Sequence, residues 1–305
     1  MNQLKRILLS TDFSPSSDAA LAQAVRMARA TNAHLEALHV VDVMAVREYA
    51  EAIESPLMLA EKEAGDRMQT QLVKWLARAD FPESGRADVA IGIPLDVILR
   101  RAKELDASLL LLGLRGRSSP EGNAGTLALK CLRKSTTKVF LAHEGHSGPF
   151  RNVIACVDFS EGSREAVEQA LRVARQDRCR VHFIHVFANL WHELEFHSDS
   201  PNTTPEPGHD RSAALLKRLR DFVGTIDGVE ATFTIVEGSG VSLGIAEYAL
   251  QAQADLLVLG DKGQSDLKYV LLGSTVERLL RKLPCSALVV RPPRATESAP
   301  AVKVE

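Results

Sequence analysis

No stretch of this 305-residue chain is apolar for long enough to cross a bilayer. The apolar run within MNQLKRILLSTDFS is too short for a secretory leader. A surplus of one charge is also missing. The 37 Lys and Arg face 39 Asp and Glu, and a formal net charge of −2 removes any global electrostatic ground for a nucleic-acid or acidic-membrane partner. Cysteine is scarce. The four present (Cys131, Cys156, Cys179, Cys285) are scattered, without the paired spacing that zinc or dithiol chemistry needs. Cys156 and Cys285 fall in or beside apolar runs and read as buried thiols. The chain also lacks a G-x4-G-K-[ST] phosphate loop and a kinase signature set. These absences leave an ordinary globular protein with 45% hydrophobic and 25% charged residues, expected in the cytoplasm.

What the chain does have is a copy of itself. LKRILLSTDFSPSSDAALAQAVRMA (4–28) aligns without a gap to FRNVIACVDFSEGSREAVEQALRVA (150–174), pairing Asp12 with Asp158 and Ser14 with Ser160. ALHVV (37–41) matches FIHVF (183–187), and DASLLLLG (106–113) matches QADLLVLG (253–260). A period of roughly 146 residues is too long for a solenoid unit, so a whole domain is duplicated. Units over 1–145 and 150–292 follow, with a tail at 293–305 expected to be disordered.

Each unit alternates short apolar runs with helical spacing. In the first, strands are expected at 6–10, 35–41, 88–91, 108–112 and 138–141, and a long amphipathic helix at 57–79. Such alternation predicts an α/β fold: parallel strands with right-handed crossovers and helices on both faces. The last strand of each unit, 138–141 and 287–290, is apolar and lies at a sheet edge. Exposed apolar edges invite pairing, so the halves are expected to satisfy each other as an intramolecular pseudo-dimer. The polar segment 189–210 carries prolines and reads as a loop. Its His192, Glu193, Glu195, His197, Asp199, His209 and Asp210 are metal-ligand types, yet no spacing fits a zinc pattern, and no metal site is predicted.

The sharpest chemistry lies at 255–291. A buried strand ends at Gly260, Gly263 follows, and after nine residues Gly273-Ser274-Thr275 opens a helix. Glycines let backbone approach a ligand without Cβ interference. Free N–H groups at a helix start suit an anion. Strand, glycine loop and helix start together predict a phosphate cradle.

The two DFS strand ends, the two HV strand ends and G-x2-G-x9-G-[ST] together resemble the universal stress protein family in its tandem form, over nearly all of 1–292. The resemblance implies two doubly wound, adenine nucleotide alpha hydrolase-like domains, each with a five-stranded parallel sheet of order 3-2-1-4-5. It implies ATP, alone or with Mg²⁺, at the strand-order reversal. Asp158 would hydrogen-bond the adenosine, and the backbone around Val186 would meet the adenine edge. Gly260 and Gly263 would admit ribose and phosphates. Gly273, Ser274 and Thr275 would donate to phosphate oxygens. The first half departs from this pattern: eight residues separate Gly116 from Gly125, and Thr126-Leu127 replaces the hydroxyl pair. Its loop is expected to be degenerate.

Three functions stay open on the residues. The chain could be a nucleotide-responsive stress module with no catalytic residues. It could be a slow ATPase or a protein phosphorylating itself at Ser274 or Thr275, with Asp158 and Asp261 as the evident acids. Or it could be a nucleotide-independent, chaperone-like scaffold. Further homodimerisation is a separate open point. His39 and His185 recur at equivalent positions and read as satisfied packing residues. Asp12 and Asp158 could equally hold the turn or cap the following helix.

Overall fold

The computed structural model describes residues 4–117, 124–188, 208–263, 272–281 and 283–292. Its strands form a single ten-stranded sheet of order β3-β2-β1-β4-β5-β10-β9-β6-β7-β8. In the first half these are β1 Arg6–Thr11, β2 His34–Asp42, β3 Arg86–Gly92, β4 Leu109–Gly113 and β5 Lys138–Ala142. In the second they are β6 Asn152–Cys156, β7 Arg180–Ala188, β8 Ala231–Gly238, β9 Leu256–Gly260 and β10 Ser286–Val290. Each half is parallel in the order 3-2-1-4-5, as the family resemblance implies. At the middle β5 and β10 run antiparallel, with Val289 opposite Val139 and Leu288 opposite Phe140. The two apolar edges thus remove each other from water.

Nine α-helices are described: α1 Pro15–Thr31, α2 Val43–Ala52, α3 Leu57–Leu76, α4 Pro94–Glu104, α5 Thr126–Lys134, α6 Glu161–Asp177, α7 Gly208–Val223, α8 Val241–Gln251 and α9 Ser274–Leu280. The central strands are buried on both faces, so their alternation sorts side chains between two cores. Ile7, Leu9, Leu109 and Leu111 face the layer holding α1, α3, α6 and α7. Leu8, Leu110 and Leu112 face the layer of α4, α5, α8 and α9. Both cores run through the seam between the halves.

The connection after β2 differs from expectation. The helix expected over 57–79 ends at Leu76 and tightens into a 3-10 turn, Ala77–Ala79. A separate helix, α2, precedes it. Of the loop predicted at 189–210, residues 208–210 open α7; 189–207 lie outside the described residues, as does the 293–305 tail. Among the described residues, no helix is long and apolar enough to cross a membrane.

Candidate functional site

Strand β6 sits beside β9, and the chain direction of crossovers reverses between them. Ligands of open parallel sheets lodge in the crevice beyond the carboxyl ends of such strands. Asp158 lies there, two residues past the end of β6. Its Oδ1 accepts the Ser160 backbone N–H at 3.0 Å and the Ser160 Oγ–H at 2.5 Å. Ser160 is the N-cap of α6, and its Oγ accepts the Ser163 N–H at 3.1 Å. The aspartate therefore orients the cap and is not the cap itself. Between them, Phe159 is held at φ 66°, a left-handed conformation unusual for a bulky residue. Its ring packs on His185 at 4.6 Å, whose Nδ1–H donates to the Val157 carbonyl at 2.7 Å.

The first half repeats this turn. Phe13 has φ 60° and packs on His39 at 4.5 Å, and His39 Nδ1–H donates to the Thr11 carbonyl. Both histidines are satisfied packing residues, as expected. The DFS repeat thus encodes a strained strand-to-helix turn that presents a carboxylate at the sheet end.

The glycines serve different purposes. A Cβ on Gly260 would lie 2.8 Å from the Gly162 carbonyl carbon, so this glycine lets β9 touch the first turn of α6. Gly162 is constrained in return by the Lys262 carbonyl, 3.0 Å from where its own Cβ would be. The close approach at Gly260 is thus to the protein's own helix. At Gly263 a Cβ would sit 2.7 Å from Asp158 Oδ2, which brings the two motif segments together in one crevice. Gly273 N-caps α9 at φ −64°, and its N–H donates to the Asp261 carbonyl at 2.8 Å. Ser274 is exposed and Thr275 half-buried beside it. Residues 264–271, including Lys268, lie outside the described residues.

Val186 is on β7, which runs to Ala188 although its last pair with β6 is Cys156 with Ile184. The backbone at Val186 therefore borders the crevice on one side and pairs with Val236 of β8 on the other. Its side chain packs under α8, where Gly244 makes room for it. Asp158, Val186, Gly263, Gly273, Ser274 and Thr275 thus share one end of the sheet. Asp261 points elsewhere: its buried carboxylate accepts Arg291 Nε–H at 3.1 Å. Among the described residues, no group of three or more His, Cys, Asp and Glu is placed to hold a metal.

In the first half the start of the corresponding loop meets the equivalent aspartate. The Arg117 N–H donates to Asp12 Oδ2 at 3.0 Å, and Ser14 and Ser17 supply Oδ1. Burial alone would raise the Asp12 pKa, but these hydrogen bonds outweigh it and hold the pKa below its ordinary value. Arg115 pairs with Glu144, whose other oxygen accepts from Ser16 Oγ. The loop backbone at Arg117 thus lies against the aspartate.

Two stretches of the chain, 3–143 and 149–291, each match the model of the universal stress protein family. The chain belongs to that family. It is 28% identical over 150 residues to a universal stress protein of Methanocaldococcus jannaschii, covering 48% of this chain and 84% of that one. It is 26% identical over 171 residues to the universal stress protein E homolog of Haemophilus influenzae, covering 53% and 54%. The crystal structure of a universal stress protein from Archaeoglobus fulgidus superposes with a TM-score of 0.67 at 20% identity, covering 95% and 99%. That likeness extends the shared fold across both tandem units.

Gly162, Phe159 and Arg291 are site residues that spacing did not reveal. The repeated DFS triplet was the available signal for Phe159. Gly162 has Ser16 at its equivalent position, so the repeat offered no hint of it.

Proposed function

We propose that this tandem universal stress protein binds an adenine nucleotide in its second half and acts as a nucleotide-responsive stress module. The observation carrying this reading is the meeting of Gly263 with Asp158. A loop that leaves no space for a Cβ beside a carboxylate brings backbone N–H groups and an acceptor to one crevice, at the strand-order reversal. Asp158 would accept from a ribose hydroxyl, the Val186 backbone would face the base, and Gly263, Ser274 and Thr275 would donate to phosphate oxygens, with Gly273, whose N–H is held by the Asp261 carbonyl, leaving room for them at the helix start. Gly260 supports the crevice through Gly162. The first half, with eight residues rather than nine between Gly116 and Gly125, serves as partner and scaffold.

The test is to denature freshly purified protein, identify released adenine compounds by chromatography, and titrate ATP calorimetrically. Wild type is expected to bind one nucleotide per chain. Gly273→Trp keeps an allowed backbone conformation and is expected to fold but lose binding. No released nucleotide together with no heat of binding would overturn the reading.

A further inference from the structure

Helices α1 and α6 lie on the same face of the sheet and flank the β5–β10 seam. Between them runs a groove of about 360 Å³. Its floor is apolar and comes from both halves: Leu109 of β4, Leu288 of β10 and Met27 of α1, all buried. Its rim is cationic, with Arg26, Lys138, Arg172 and Arg175 and no carboxylate among the lining residues.

The carboxylates that answer these cations stand behind the rim. Asp177 pairs with Arg26 and also accepts the Phe150 N–H at 2.8 Å. Glu165 pairs with Lys138 at 2.7 Å and also accepts from Gln169. Arg172 reaches Glu168 one turn away at 3.6 Å. Arg175 is exposed and has no ion-pair partner among the described residues. The one rim cation left without a carboxylate among the described residues, Arg175, beside an apolar trough matches an alkyl chain ending in an anion. The volume is near the lower end of the ~300–1,000 Å³ usual for ligand sites, which suits a single chain better than a bulky cofactor. Arg26 and Arg172 are repeat equivalents, so the groove exists only where the two units meet.

We infer that this seam groove binds an amphipathic carboxylate, a straight-chain fatty-acid anion, with its tail over Leu109 and Leu288 and its head at Arg175. Arg175 stands in the last turn of α6, at the opposite end of that helix from the Asp158 turn, and the site does not depend on nucleotide.

The experiment is calorimetric titration of the full chain with hexanoate, octanoate and decanoate below their micelle concentrations, with decyltrimethylammonium as the cationic control. Affinity is expected to rise about fourfold per methylene, and the cation is expected not to bind. Arg175→Gln is expected to weaken decanoate about fivefold. Ala30→Trp and Gln176→Trp, at exposed rim positions on facing helices, are expected to abolish binding with unchanged circular dichroism. No decanoate binding, affinity independent of chain length, equal binding of the cation, or wild-type affinity in both folded tryptophan variants would each overturn the inference.

Discussion

Arg291 reaches from the end of β10 to Asp261 in the glycine loop, 3.1 Å from Nε to Oδ2, while its two other nitrogens donate to carbonyls of the opposite half. Nη1–H donates to Thr137 at 3.0 Å and Nη2–H to Leu132 at 2.6 Å. Both charged side chains are about nine-tenths buried. The loop next to the proposed crevice is therefore tied to the C-terminal end of α5 in the first half.

Removing Arg291 takes the ion-pair partner from the buried Asp261 carboxylate. Arg291→Leu is expected to destabilise the protein by about 3–5 kcal/mol, measured by urea unfolding, with Arg291→Leu/Asp261→Leu recovering much of the loss. Additive effects in that double-mutant cycle would contradict a direct pair.

The three glycines are expected to respond differently. Gly260→Ala forces a Cβ into backbone and should cost about 1–3 kcal/mol. Gly273→Ala meets nothing nearer than the Asp261 carbonyl at 3.4 Å and should cost under about 1 kcal/mol. Gly263→Ala displaces the Asp158 carboxylate, a movable side chain, and should spare the fold while weakening nucleotide binding. Thermal melts and ATP titration of the three variants separate these outcomes.

Much of this architecture was legible because central strands are short, apolar and bounded by turn residues, and because the repeat showed each element twice. Helix α2 was not. It buries only Val46 and Ala50 and leaves Met44 and Tyr49 exposed, so no apolar stripe marks it. The Gly162–Gly260 contact joins distant parts of the chain through backbone alone, a relation no local pattern records. Arg291 follows the last strand, where a basic residue reads as the start of a solvated tail.

Acid should destabilise the protein from about pH 6.5 downward. His39, His143 and His182 have pKa values below the ordinary 6.5, each chiefly through burial. A histidine depressed in the native state binds fewer protons than in the unfolded chain, so its contribution is intact above 6.5 and is lost as pH falls towards its folded value. For His182, Arg180 adds to the shift and Glu230 opposes it; Nδ1 lies 3.2 Å from the Tyr248 hydroxyl and 3.0 Å from Thr232 Oγ1. His182→Gln should flatten melting temperature against pH between 6.5 and 5. An unchanged profile would rule out His182 as a contributor.

Thiol chemistry should be silent in the native state. All four cysteines are free, and burial pushes the Cys131 and Cys285 thiols up to about 12 and Cys179 to about 11. Cys156 is half-buried, less enclosed than its apolar setting predicted, yet its pKa is also raised by desolvation. Ellman's reagent at pH 8 should react slowly with folded protein and with four thiols after denaturation. Rapid labelling of the native chain would show that the elements around these thiols open locally.

The antiparallel pairing of Val139 with Val289 has a further consequence. Two separate copies of such a domain would have to find each other at a rate and extent set by their abundance. Here the linker between β5 and β6 makes that encounter unimolecular, with an effective concentration on the order of millimolar for a short tether. The assembled seam therefore persists however dilute the protein becomes.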